Sequence, residues 1–312
     1  MPNGSFEEYD DCPDGLVMQT LFQPANNGFY TVKNWFSPTL GTSDYFNICD
    51  TSNTTAGVPK NKTGYQTPQH GNAYCGLVAY WYISIYADYR EYLEVELNSS
   101  LVSNEKYTWS FYVSLADSSL GAINKIGIVL SDTLVIDYSN TLSAFEFIDI
   151  PDVGHSNTII KDSINWVKIQ GEYTAHGGEK YLLLGVFYDS LNIDKEVVGG
   201  FQSHPGVYYY IDNVKVCKGE CNNNFIIPNV FTPNNDNVND TFFITTENIE
   251  NVTIKIYNRW GNEVFIGYDD FNWNGMYNNE ECTSGVYFYI INYTNFETNE
   301  FEQKQGYIHL IR

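Results

Sequence analysis

The chain is predicted to be all-β, with a jelly-roll β-sandwich over residues 1–219 and a small immunoglobulin-like β-sandwich over 227–312, joined by a linker at 220–226. Three observations predict this. Apolar residues alternate with a period of two, no amphipathic helical stretch appears, and turn residues break the alternating runs at short intervals.

The strands follow in order. Tyr74 to Ala87 is the longest apolar run, but it falls short of the roughly 18–20 residues of a membrane span and contains Ser84, so it reads as a strand. Leu93, Val95 and Leu97 alternate with Glu94, Glu96 and Asn98. Tyr107, Trp109, Phe111, Val113 and Leu115 alternate with Thr108, Ser110, Tyr112 and Ser114, an antiparallel strand with one face on a core. Val167, Ile169 and Tyr173 oppose Lys168, Gln170 and Glu172. Tyr181 to Tyr188 is apolar on both faces, as a central strand should be, and Tyr208 to Val216 is a further strand. Asn47 to Asn72 lacks periodicity and reads as a long loop of the functional or mobile kind, with Asp149 to Asn157 a shorter one. The polar stretch Lys218 to Asn224 marks the boundary. Strand-like pieces then follow at Thr241–Thr245, Val252–Asn258, Glu263–Ile266, Gly285–Tyr293 and Gly306–Ile311.

Composition excludes several functions. A formal charge of −22 repels phosphate backbones and anionic lipid, which argues against nucleic-acid or membrane-surface binding. Aromatics at 16%, with 26 Tyr, argue against disorder. Met1-Pro2-Asn3 leads straight into a turn and strand, so the chain reads as a mature one without a signal peptide. Cys12 and Cys49 lie in polar, loop-like sequence and are expected to bridge. Cys217 and Cys221 could close a small loop, whereas Cys75 in its strand reads as a buried thiol.

No GxSxG, HExxH or phosphate-binding glycine loop is present, and His70, His155, His176, His204 and His309 are dispersed. No catalytic residue is assigned and a non-enzymatic protein is expected. The 38 carboxylates leave a jelly-roll glycoside hydrolase as one alternative.

The C-terminal segment carries an ordered motif set: Pro228-Asn229-Val230-Phe231-Thr232-Pro233-Asn234, Asn239-Asp240-Thr241-Phe242, Ile256-Tyr257-Asn258-Arg259-Trp260-Gly261, Val264-Phe265, Trp273-Asn274-Gly275, Ser284-Gly285-Val286-Tyr287, and Gly306 to Arg312. This segment resembles the gliding-motility-associated, or type B sorting, domain of Bacteroidetes type IX secretion cargo. The departures from the pattern are Asn235 and Asn237 where Gly is usual, Asn274 for Asp, and Cys282. The resemblance implies secretion through the outer membrane to the cell surface or beyond, guided by the type IX translocon and a PorP/SprF-like outer-membrane protein.

Residues 1–219 resemble, more loosely, galactose-binding-like and carbohydrate-binding jelly rolls, through Asn3-Gly4-Ser5-Phe6-Glu7 and Tyr209-Tyr210-Ile211-Asp212-Asn213-Val214. That resemblance implies a structural calcium held by Glu7 and Asp212, whose hard oxygens suit the ion. Tyr80, Trp81, Tyr82, Tyr86 and Tyr89 supply the rings a surface glycan would stack on, with Arg90 and Glu91 beside them and Asp117 a partner for Arg90. Asp132-Thr133-Leu134, Asp162-Ser163-Ile164 and Asp189-Ser190-Leu191 look like Bacteroidetes O-glycosylation sites. The expected function is an adhesion or glycan-binding passenger delivered by a sorting domain. The alternative is a structural envelope or gliding-motility component that binds protein partners.

Overall fold

A computed structural model describes residues 1–13, 15, 32–51, 55–82, 89–137, 152–199, 206–221, 224–236, 238–247, 249–268, 271–295 and 301–312. The chain is all-β, and among the described residues there is no helix. It divides into two compact units, Met1–Gly219 and Glu220–Arg312.

The first unit is built on two five-stranded sheets. One runs in the order Trp35–Phe36, Leu93–Glu96, Tyr181–Val186, Ile126–Ser131, Asp152–His155. The other runs Val167–Thr174, Lys106–Leu115, Gly206–Lys218, Ala73–Trp81, Asp44–Asn47. Every neighbouring pair is antiparallel. Leu93, Val95, Ile128 and Leu184 from the first sheet share one core with Trp109, Phe111, Val113, Leu77 and Ile211 from the second. The alternation along Tyr107 to Leu115 is therefore the inward face of a core strand.

Over its strands Asp44–Asn47, Ala73–Trp81 and Gly206–Lys218 the second sheet is also covered on its other face, whereas the edge strand Val167–Thr174 leaves that face exposed. Phe46, Tyr74, Val78, Tyr208 and Tyr210 cluster there beneath Ala56 and Val58 of the long loop. Polar side chains fix that loop in place. Asn61 Nδ2 donates to the Tyr74 hydroxyl at 2.9 Å, the Tyr210 hydroxyl donates to Asn61 Oδ1 at 2.9 Å, and Gln66 Nε2 donates to Ser114 Oγ at 2.6 Å. The segment carries a small hairpin of its own, Lys60–Asn61 with Gly64–Tyr65.

One expected loop is a strand: Asp152–His155 pairs with Ile126–Ser131 at the sheet edge. An edge strand needs hydrogen bonds on one side only, so side-chain alternation marks it weakly. Its Gly154 lies against the Trp109 ring, where a Cβ would collide.

The second unit has a five-stranded sheet in the order Val230–Phe231, Phe301–Leu310, Gly285–Thr294, Glu250–Tyr257, Glu263–Tyr268. Its first pair is parallel and the rest are antiparallel. Phe242 and Trp273, joined by an isolated bridge, pack with Phe231, Ile254, Ile256, Tyr287 and Ile308. The piece expected at Thr241–Thr245 is instead this bridge followed by a short strand, Thr245–Glu247, paired with Asn224–Ile226.

Cys12 and Cys49 form a disulfide, and Cys217 and Cys221 are disulfide-bonded as well. Cys75 is a free, buried thiol whose pKa burial raises.

Candidate functional site

In the second unit the sequence motifs resolve into turns and one cationic hub. Asp240 Oδ1 accepts the backbone N–H groups of Asn234 at 3.0 Å and Asn235 at 2.7 Å, while Thr232 N–H donates to the Asn239 carbonyl at 2.8 Å. Asn235 and Asn239 adopt φ of 64° and 54°, the left-handed region Asn tolerates. Arg312 binds three carbonyls. Its Nε donates to Cys282 O at 3.2 Å, Nη1 to Pro233 O at 3.2 Å and Nη2 to Gly275 O at 3.0 Å, and Nη1 lies 3.2 Å from Glu281. Pro228 is half-buried just before the first strand, and Gly285 opens the strand that carries Tyr287. The Tyr287 hydroxyl donates to Thr283 O at 2.8 Å.

The outer face of this sheet exposes apolar rings at one end and carries polar residues, Lys255, Asn292, Gln303 and Gln305, toward the other. Register aligns Tyr307 with Phe288 and Phe288 with Tyr257, and Val286 with His309. Phe288 is 48% exposed and Tyr307 59%. A groove of about 560 Å³ runs along it, lined by Tyr257, Asn258, Arg259, Phe288, Gly306 and Tyr307 among others. The turn at its end is rigid: Asn258 Oδ1 accepts N–H bonds from Trp260 and Asn262, each at 3.0 Å, and Gly261 takes φ 80°. The Arg259 guanidinium lies 4.9 Å from the ring of Trp260, which is 71% exposed.

In the first unit Glu7 and Asp212 converge on one segment. Asp212 Oδ2 accepts N–H bonds from Gln69 and His70, each at 2.9 Å; Glu7 Oε1 accepts them from Asn72 at 2.8 Å and Ala73 at 3.1 Å. Burial raises the pKa of both, and the Glu7 charge adds to the rise at Asp212. Among the described residues no group of three or more His, Cys, Asp or Glu gathers at one point. A cation here would therefore draw on backbone oxygens as well, which calcium accepts.

The aromatic run does not form one face. Successive strand residues point to opposite sides. Tyr80 is in the core, and Tyr82 packs beside it with ring centroids 5.0 Å apart. Trp81 faces the other way, toward Tyr89 at 6.2 Å. Tyr86 lies outside the described residues. The Arg90 partner differs from expectation too. Its Nη1 donates to Tyr89 O at 2.9 Å and its guanidinium lies 5.1 Å from the Tyr80 ring, whereas Asp117 Oδ2 accepts from Tyr65 N–H.

Three buried carboxylates escaped sequence reasoning as a group. Glu91, expected beside the rings of the ligand face, is buried and accepts from Val78 N–H at 2.7 Å and the Tyr89 hydroxyl at 2.7 Å. Asp44 accepts from the Tyr208 hydroxyl at 2.6 Å, and its pKa rises through burial and the nearby Glu91 charge. Glu94 is fully buried and accepts one bond, from Val135 N–H at 3.1 Å; burial pushes its pKa up to about 8. Alternation identifies a strand's two faces but not whether something covers the second, so Glu94 reads from sequence as solvated.

The three Asp-Ser/Thr-apolar tripeptides lie on the surface. In two of them the aspartate closes an Asx turn: Asp162 Oδ1 accepts from Ile164 and Asn165, and Asp189 Oδ1 from Leu191 and Asn192.

Residues 225–310 match the CHU_C type IX secretion signal domain. The second unit is thus a type IX secretion signal domain, which implies contact with the secretion machinery and passage through the outer membrane to the cell surface. No curated protein sequence matches the chain. Among solved structures the chain is similar to the CBM22-1 xylan-binding domain of Xyn10C from Paenibacillus barcinonensis, at 15% identity and TM-score 0.35, over 68% of this chain and 90% of that one. It is also similar to the K1 cleaved adhesin domain of Lys-gingipain from Porphyromonas gingivalis, at 11% and 0.29, over 60% and 99%. A third is the adhesin domain of Epf from Streptococcus pyogenes, at 9% and 0.31, over 89% and 80%. Overlaps this slight carry no information about ligand or partner.

Proposed function

We propose that the protein is a non-enzymatic, surface-delivered adhesion protein whose first unit binds glycan and whose second unit is the address read by the type IX machinery. The observation that carries this reading is the secretion-signal match over residues 225–310. The groove and the exposed rings Trp260, Phe288 and Tyr307 supply a face for the machinery to grip, a PorP/SprF-like outer-membrane protein among its components. In the first unit a structural calcium at Glu7 and Asp212 would offset the repulsion of two desolvated carboxylates and pin residues 69–73.

Delivery is tested by fusing residues 220–312 to a fluorescent reporter in a host with the secretion system. Surface fluorescence supports the address, and periplasmic retention overturns it. Binding is tested with the full chain on a broad glycan array. An empty array together with capture of an outer-membrane partner favours a structural envelope or motility component instead.

A further inference from the structure

Lysine is scarce on this acidic chain, and Lys33, Lys161, Lys180, Lys218 and Lys255 each sit on a carboxylate. Lys125 does not. Its ammonium lies 2.8 Å from His155 Nε2, 3.5 Å from Asn157 Oδ1 and 5.1 Å from the centre of the Tyr188 ring, none of them a carboxylate. The other ring nitrogen, His155 Nδ1, faces the Tyr188 hydroxyl at 3.2 Å. The Tyr188 and His155 rings meet edge to face at 5.0 Å.

This arrangement is held by its surroundings and not by local preference. Lys125 has φ 66°, a conformation that costs a non-glycine residue energy and persists only where neighbours impose it. They do. Asn124, buried, exchanges bonds of 2.8 Å with Asp194 in both directions, and Lys125 N–H donates to Ser156 O at 2.8 Å. A second lysine arrives by the same pairing. Lys195 follows Asp194, pairs in register with Ile123, donates to Ser190 O at 2.8 Å, and lies 5.1 Å from the Tyr80 ring.

An ammonium group, an exposed amide at Asn157 and a half-buried tyrosine ring, with a second lysine on the segment paired alongside, are the parts that recognise a sugar bearing an anionic group. The ring takes the C–H face, the amide pairs with hydroxyls, and a cation without a carboxylate of its own takes the charge. We propose that Lys125, Asn157 and Tyr188, with Lys195 on the segment beside them, form a binding site for an acidic polysaccharide, its charge supplied by uronate carboxylate or by sulfate ester and held at short range by the local ammonium groups against the long-range repulsion of a chain of net charge −22. The assignment rests on the glycan-binding reading and narrows it to a substrate class.

The test measures binding of the full chain to polygalacturonate, carrageenan, uronate-free arabinoxylan and mixed-linkage glucan. Binding to at least one of the two acidic polymers is expected; the first carries carboxylate and no sulfate, the second sulfate and no carboxylate, so which of them binds distinguishes the two. Lys125→Gly suits the left-handed backbone, so its thermal midpoint should equal or exceed that of the parent while its affinity falls about tenfold or more. Tyr188→Phe should retain binding through the ring, and Lys195→Gln should weaken it. Unchanged affinity in Lys125→Gly, or binding to the neutral polymers alone, overturns this site and leaves glycan binding standing. Binding to none of the four overturns this site, and the broad glycan array then decides the wider glycan-binding reading.

Discussion

Glu7 and Asp212 hold the two halves of one short segment. Asp212 Oδ2 takes the N–H groups of Gln69 and His70, and Glu7 Oε1 those of Asn72 and Ala73. Gly71, between them at φ 62°, lies against the Glu7 carboxylate where a side chain would collide. If a structural calcium completes this clasp, millimolar calcium should raise the melting midpoint by roughly 5–10 °C, and Glu7→Gln should abolish the rise. Calorimetry with calcium and with a chelator checks this. A midpoint unmoved by either means that amides alone are the partners.

Glu94 makes stability depend on pH in a direction opposite to the usual surface carboxylate. Its folded pKa of about 8 exceeds the unfolded value of about 4.3, so the folded state holds the proton longer. The stability this gives is complete below pH about 4.3 and declines as pH rises toward 8. Glu94→Gln should remove up to roughly 2 kcal/mol of the loss between pH 6 and 8, read by chemical denaturation at both pH values. Asp44 and Glu91, both raised, contribute a background slope that remains.

Two tryptophans of the second unit separate stability from recognition. Trp273 is buried at 1% exposure, and Trp273→Ala should cost about 3–5 kcal/mol. Trp260, exposed, should cost within about 0.5 kcal/mol on replacement by Ala yet reduce surface delivery. Equal export by Trp260→Ala would move the recognised face away from this groove.

Arg312 binds its three carbonyls through a planar fork, which a lysine cannot reproduce. Arg312→Lys should therefore lose about 1–3 kcal/mol of the second unit's stability even though the charge is kept, measured by urea unfolding.

The fold was legible where the signal is local. Tyr107 to Leu115 alternates because one face of its strand meets the core, and the Asn-rich turn at 234–240 announces itself because Asn235 and Asn239 need positive φ. What failed was long-range. Nothing near Glu94 reveals that Val135 will cover it, and nothing near Tyr80 says that the core claims this ring while Trp81 turns away. Lys125 carries no sequence signal at all. The side chains around its ammonium come from His155, Asn157 and Tyr188, which lie on other strands and loops.

In the second unit, Val230–Phe231 runs parallel to Phe301–Leu310, with His309 N–H bonded to Asn229 O at 2.9 Å and Ile311 N–H to Phe231 O at 3.1 Å. A nascent chain emerging in order exposes the earlier strand long before its mate exists. Until then Phe231 has no ladder to join, and the edge hangs open to chaperones. A receptor that grips only the closed sheet thereby reads synthesis as far as Leu310, and ignores any precursor halted short of it.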